Sequence, residues 1–215
     1  MAQLFRKRAD NILRIIVLGL AVIIGLSIAL GYGWSYSTFN TREDAVIQQA
    51  VPFSHEHHVG GLGIDCRYCH TSVEVSAYAG LPASSICMNC HSQIWAESEM
   101  LKPVRDSYEH KKPLIWARVN DLPDFVYFNH SIHLNKGVGC ESCHGRVDRM
   151  PLMSKVHTFH MEWCLECHEN PKPHLRPREA ITVMGWQPKN ASEAPEALAR
   201  TYNVQSRTDC YACHR

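Results

Sequence analysis

The sequence predicts a mostly α-helical and irregular protein with one N-terminal transmembrane helix and too little chain elsewhere for an ordinary side-chain core. Three observations lead there. Residues 15–34, IIVLGLAVIIGLSIALGYGW, contain no charged side chain. The pentapeptide Cys-x-x-Cys-His occurs five times and uses all ten cysteines. No stretch alternates apolar and polar residues for long enough to make a sizeable sheet.

The uncharged run comes first. Arg6, Lys7, Arg8 and Arg14 precede it, and its length matches the ~20 apolar residues needed to cross a bilayer. Trp34 and Tyr36 follow where an interfacial aromatic belt lies. Ser27-Ile28-Ala29 offers a small-x-small cleavage site, but the apolar core of a signal peptide is shorter than this run. The expectation is a retained single-pass anchor in the inner cell membrane over residues 1–38. Its basic end is cytoplasmic, and residues 39–215 form one domain on the periplasmic, extracytoplasmic side.

The five motifs are Cys66/Cys69/His70, Cys87/Cys90/His91, Cys140/Cys143/His144, Cys164/Cys167/His168 and Cys210/Cys213/His214. Cysteines at this density suggest zinc sites or disulfides in other settings. Here no thiol is left over for a disulfide, and no βαβ pattern surrounds a motif as it does in thioredoxin-like proteins. The reading that accounts for every cysteine is covalent haem: two thiols add to the vinyl groups and the adjacent histidine becomes the proximal iron ligand. Five covalently bound haems c are therefore expected. The formal net charge of +1 gives no reason to invoke nucleic acid. Ionised haem propionates would make the assembled protein acidic.

The chain is internally duplicated. Phe53-Ser54-His55-Glu56-His57-His58 stands before the first motif and Phe128-Asn129-His130-Ser131-Ile132-His133 before the third. Both read Phe-x-His-x-x-His, and each is followed by a glycine-bearing stretch. The modules are residues 53–91 and 128–168, each with two motifs; the fifth motif, 210–214, follows a spacer at 169–209. Histidines three apart share one side of a helical turn, so His55, His58, His130 and His133 are expected to be distal iron ligands, each pair serving two haems. Met150, Met153, His157, His160 and Met161 are the candidates for the fifth distal position. His110 and His174 read as solvated surface histidines.

Elsewhere the pattern predicts a helix over residues 92–101, SQIWAESEML, then an extended arm around Pro103, Pro113 and Pro123. Residues 171–195 read as a proline-rich surface strap, and residues 193–202, EAPEALARTY, as a short helix leading to the fifth motif. With roughly 30 residues per haem, the haem faces themselves must serve as the core.

SHEHHVGGLGIDCRYCH, LPDFVYFNHSIHLNKGVGCESCHGRVD and MEWCLECH closely resemble the pentahaem cytochrome c subunit of alternative complex III, a bacterial quinol:electron acceptor oxidoreductase. The likeness covers most of residues 40–215, and the two modules also resemble the small class III multihaem cytochromes. The resemblance implies an electron-conducting subunit beside integral-membrane quinol-binding subunits, an iron–sulfur subunit and a monohaem cytochrome. It implies no catalytic site on this chain, and it favours Met161 as the fifth distal ligand. Pentahaem nitrite- or hydroxylamine-type reductases need an open iron, often signalled by Lys in place of a motif histidine or by a crosslinking Tyr, and all five motifs here end in His. The small anchored quinol-dehydrogenase cytochromes that feed periplasmic reductases carry Met two residues after the first motif histidine. Here Thr71 and Ser72 follow His70.

Overall fold

A computed structural model describes residues 6–214; the first five residues of the expected N-terminal segment lie outside the described residues. The chain divides into two compact units, with the boundary between Arg42 and Glu43. In the first unit, α1 (Lys7–Ser35) is a helix of 29 residues, about 43 Å long at 1.5 Å per residue. Within Arg8–Ser35 the most apolar window has a mean hydropathy of 2.7, and none of it is buried. The helix is long and apolar enough to cross a membrane. Arg14 pairs with Asp10 one turn away (2.9 Å), which confines the charge to its N-terminal end. Ser37 then caps the single turn α2 (Thr38–Thr41) by accepting from the Asn40 N–H.

The second unit contains α3 (Cys66–Cys69), α4 (Ser84–His91), α5 (Lys102–His110), α6 (His130–Asn135), α7 (Glu141–His144), α8 (Met161–Glu169), α9 (Pro195–Thr201) and α10 (Cys210–Cys213). Every Cys-x-x-Cys-His motif falls on one of these short helices or at its edge. One helical turn brings thiols three residues apart onto the same face, which is the spacing a motif needs to hold one ring at two points. Among the described residues there is no strand, only isolated bridges such as Val138 with Leu175.

Side-chain cores are small. Val51, Leu101 and Val104 form one cluster, joined by Cys87, Met88, Leu114 and Trp116. Val73, Leu134 and Ile181 form another, with Ala79 against it. Among the described residues no large side chain is fully buried. That is unusual for a unit of this size and is what a polypeptide wrapped around large rings would show.

The helix expected over residues 92–101 is not there. Trp95 takes a left-handed backbone, φ 56°, which interrupts helical hydrogen bonding, and the helix forms one step later as α5. Pro103 lies in its first turn rather than in an extended arm, where a missing N–H leaves nothing unsatisfied. The strap over 171–195 is an integral part of the unit: Leu175, Arg176 and Ile181 are buried, and the Arg176 N–H donates to the Gly137 carbonyl at 2.8 Å. A β-carbon at Gly139 would meet the Arg176 guanidinium, so a larger residue there would force that side chain to shift. His174 sits half-buried on this strap rather than solvated, whereas His110 is exposed.

Candidate haem-binding site

The two Phe-x-His-x-x-His segments fold into the same arrangement of rings. Phe53 stacks on His58 (4.4 Å, 22°) and meets His55 edge-on (4.9 Å, 86°). Phe128 stacks on His133 (4.5 Å, 29°) and meets His130 edge-on (4.7 Å, 87°). The backbone differs, because His130–Asn135 is α-helical while Glu56–Gly61 is a wider π-helical turn. The phenylalanine thus holds both imidazoles in each module, at right angles to one and flat against the other.

The motif thiols are not equally enclosed. Eight of the ten are half-buried. Cys90 and Cys210 are the exceptions, and both are exposed. For Cys90 the cause is its place on α4. Cys87 packs against the Val51, Leu101 and Val104 cluster, whereas Cys90 lies one turn further on, beyond that cluster. Cys210 opens the short terminal helix α10, which little other chain covers. Attachment depends on two thiols sharing one helical face, not on their burial. Cys90 and Cys210 therefore keep the positions that attachment needs.

Hydrogen bonds fix which ring nitrogen stays free. A carbonyl only accepts, so an Nδ1 facing one must carry the proton and leave the Nε2 lone pair available to a metal. His58 Nδ1 donates to Ser54 O (2.8 Å) and His133 Nδ1 to Asn129 O (2.7 Å), each the carbonyl four residues back. His130 Nδ1 donates to Ala77 O at 2.8 Å. Among the motif histidines, His70 donates to Gly80 O (2.7 Å), His91 to Ile94 O (2.9 Å), His168 to Arg207 O (2.7 Å) and His214 to Phe125 O (3.0 Å). His144 Nδ1 faces the Asn120 amide nitrogen at 3.1 Å, while Asn120 Oδ1 is buried without a partner. Turning the amide by 180° resolves both, giving an Nδ1–H donating to Oδ1. His55 is the exception, with a buried Nδ1 that has no hydrogen-bond partner.

Burial holds these rings neutral. Desolvation pushes His55 and His144 down to about 4, with neighbouring imidazoles adding to the effect. It also lowers His130 and His133 against the opposing pull of their carbonyl partners. Neutral imidazole is the ligating form.

The histidine rings come together in twos. The His58 ring centre lies 6.2 Å from that of His91, His130 lies 6.3 Å from His144, and His133 lies 6.1 Å from His168. Two imidazoles on opposite sides of one iron, with metal–nitrogen bonds of about 2 Å and about 1 Å more to each ring centre, stand about 6 Å apart. The residues therefore fit haem iron, with one upstream histidine facing one motif histidine in each case. Rings in the first and third of these pairs are inclined at 63°, those of His130 and His144 at 2°. His70 is among the imidazoles beside His55.

Comparison with known proteins agrees with this geometry. Residues 126–215 match the family of cytochrome c7 and related cytochrome c. Over 203 residues the chain is 27% identical to the menaquinone reductase multihaem cytochrome c subunit of Nitratidesulfovibrio vulgaris, covering 89% of this chain and 88% of that protein. The chain is thus similar to multihaem cytochromes c. That likeness and the Cys-x-x-Cys-His motifs both point to covalent c-type haem.

Around the fifth motif the chain is less symmetrical. His157 stacks on Trp163 (4.8 Å) and Phe159 also packs on that indole (5.0 Å). Met161, the first residue of α8, is 64% exposed, so packing against Trp163 is not what occupies its side chain. His160 is half-buried at the N-cap of α8. Asn120 had no signal in the sequence, because it comes from an irregular segment 24 residues ahead of His144. Phe53 and Phe128 did have one, as the shared start of the duplicated motif.

Proposed function

We propose that the cytochrome is a membrane-anchored electron carrier linking a quinone-reactive membrane partner to other redox subunits, in a complex of the alternative complex III type. Five haems c are held by the five motifs, with His70, His91, His144, His168 and His214 as proximal ligands. Opposite them stand His55, His58, His130, His133 and Met161. Haem supplies a reversible one-electron centre; the chain supplies two axial ligands per iron, their orientation and the low-dielectric surroundings.

The observation that carries this reading is the meeting of imidazoles in twos. An iron ligated on both faces by protein has no position for a substrate, so the site suits electron transfer rather than bond-making chemistry. The quinone link is supported by the relative named as a menaquinone reductase subunit and by the sequence likeness to a quinol-oxidising complex. Those two names point in opposite directions of electron flow, which a reversible carrier serves equally. Residues 1–38 are proposed as the anchor and 39–215 as the periplasmic haem domain.

The test is purification from membranes in mild detergent, followed by subunit identification and addition of a menaquinol analogue. The account expects iron–sulfur and multispan subunits with the cytochrome, and reduction of its haems by the quinol. A cytochrome found alone, or reduced by quinol while bound only to a soluble periplasmic reductase, would contradict the complex proposed here and favour a small anchored quinol dehydrogenase.

A further inference from the structure

The hydrogen bonds joining the attachment segments define which sites are neighbours, and the result does not follow the sequence. We infer that the five sites lie as a line of neighbours in the order second, first, third, fourth, fifth, so that the line ends at Cys87–His91 and at Cys210–His214. The inference rests on the ligand assignments proposed above.

The second and first sites are tied through their shared turn, which carries both His55 and His58. They are tied again where the Asn89 side chain of α4 donates to the Tyr68 hydroxyl of α3 at 3.0 Å. The junction between the modules runs through the first and third sites. Asp65, the N-cap of α3, accepts from Thr182 Oγ1 at 2.9 Å. The neighbouring carbonyl, Ile181 O, accepts from the Cys140 N–H at 3.0 Å. One dipeptide thus clamps the residue before Cys66 to Cys140 itself.

Three further contacts cross the same junction. The Glu56 N–H donates to Met150 O at 3.0 Å, and the Ser131 N–H donates to Ser76 O at 3.2 Å. His130 reaches Ala77 O in the loop after the first motif. Val73 of that loop shares a buried cluster with Leu134 of α6 and Ile181 of the strap. The third and fourth sites are linked by α6, which presents His130 to one and His133 to the other. The fourth and fifth are linked by the His168 bond to Arg207 O, three residues before Cys210. On the far side the Tyr127 N–H, just ahead of the second module's phenylalanine, donates to Cys213 O at 2.8 Å.

The order follows from the duplication. In each module the first histidine of the pair belongs with the nearer motif and the second with the further one. The modules then join first site to third, which pushes the second site outward to an end of the line. The motif thiols least covered by chain, Cys90 and Cys210, belong to the two sites that this order places at the ends.

Spin relaxation of the ferric protein tests the order. Near-parallel imidazoles remove the near-degeneracy of two iron d orbitals and give a rhombic low-spin EPR signal, so the His130/His144 site is identifiable as the rhombic component lost in His130→Gly. Removing His55 or His58 as glycine leaves one site high-spin, and a high-spin neighbour speeds relaxation with a steep inverse dependence on distance. His55→Gly should raise the relaxation rate of the third-site signal several-fold, and His58→Gly should leave it unchanged. Imidazole added to His55→Gly should refill the vacated position and return the rate to that of the parent, which separates the effect from misfolding. A larger effect from His58→Gly, or equal effects from both, would overturn the order. If neither substitution produces a high-spin centre, the ligand assignment itself has failed and the order falls with it.

Discussion

Asn120 is a single side chain with a readable electrical consequence. It accepts from His144 once its amide is turned, and a histidine that donates through Nδ1 is a stronger donor to iron through Nε2. Asn120→Leu should therefore raise the potential of the site carrying His144. A hydrogen bond worth about 1 kcal/mol corresponds to roughly 40 mV for one electron. Spectroelectrochemical titration checks it; a shift of every midpoint, or of none, would show that Asn120 only fills space. His55 presents the same physics without a substitution. Its Nδ1 has no partner while the matching His130 has Ala77 O, so the first site is expected at a higher potential than the third. Met161→His is the third test at this scale. Methionine favours ferrous iron more than imidazole does, so the variant should lose one high-potential midpoint and the methionine-to-iron absorption while keeping its haem content. Unchanged midpoints would remove Met161 from the ligand set.

At the scale of elements, the device is one turn bearing a phenylalanine and two histidines, built twice with nearly the same ring angles on different helical backbones. Gly60 lies at the edge of the first copy, where a β-carbon would collide with the Asp148 carbonyl. Backbone cannot step aside as a side chain can, so Gly60→Ala should destabilise the module by about 1–3 kcal/mol. A thermal melt followed at the Soret band should show a midpoint several degrees lower; an unaltered melt would mean the segment after the third motif packs more loosely than described. Much of this level was legible in the sequence: the pairs, the glycines after them and the motif helices all follow from local spacing. What was not legible depends on distant backbone. The partner carbonyls at Ala77, Gly80 and Arg207 are atoms every residue has, so no residue type marks them. The exposure of Cys90 was equally hidden, because its motif reads like the other four and only the packing of α4 sets it apart. Trp95 broke the helix expected over 92–101 through a left-handed backbone that an aromatic residue does not advertise.

At the scale of the whole molecule, the sequence carried the class, because the five motifs, the charge-free N-terminal run and the shortage of core all point one way. It did not carry the order of the sites, because Thr182 and Ile181 reach Asp65 and Cys140 across 117 and 41 positions of chain. The central proposal is that every iron this chain holds is closed by two protein ligands and so carries electrons without binding a substrate. Its most direct test is low-temperature EPR of the fully oxidised protein, with low-spin and high-spin ferric iron integrated per chain against haem content from a pyridine haemochrome assay. The account predicts one low-spin ferric centre for each of the five motifs and no high-spin iron. A stoichiometric high-spin centre, or fewer haems than motifs, would contradict it.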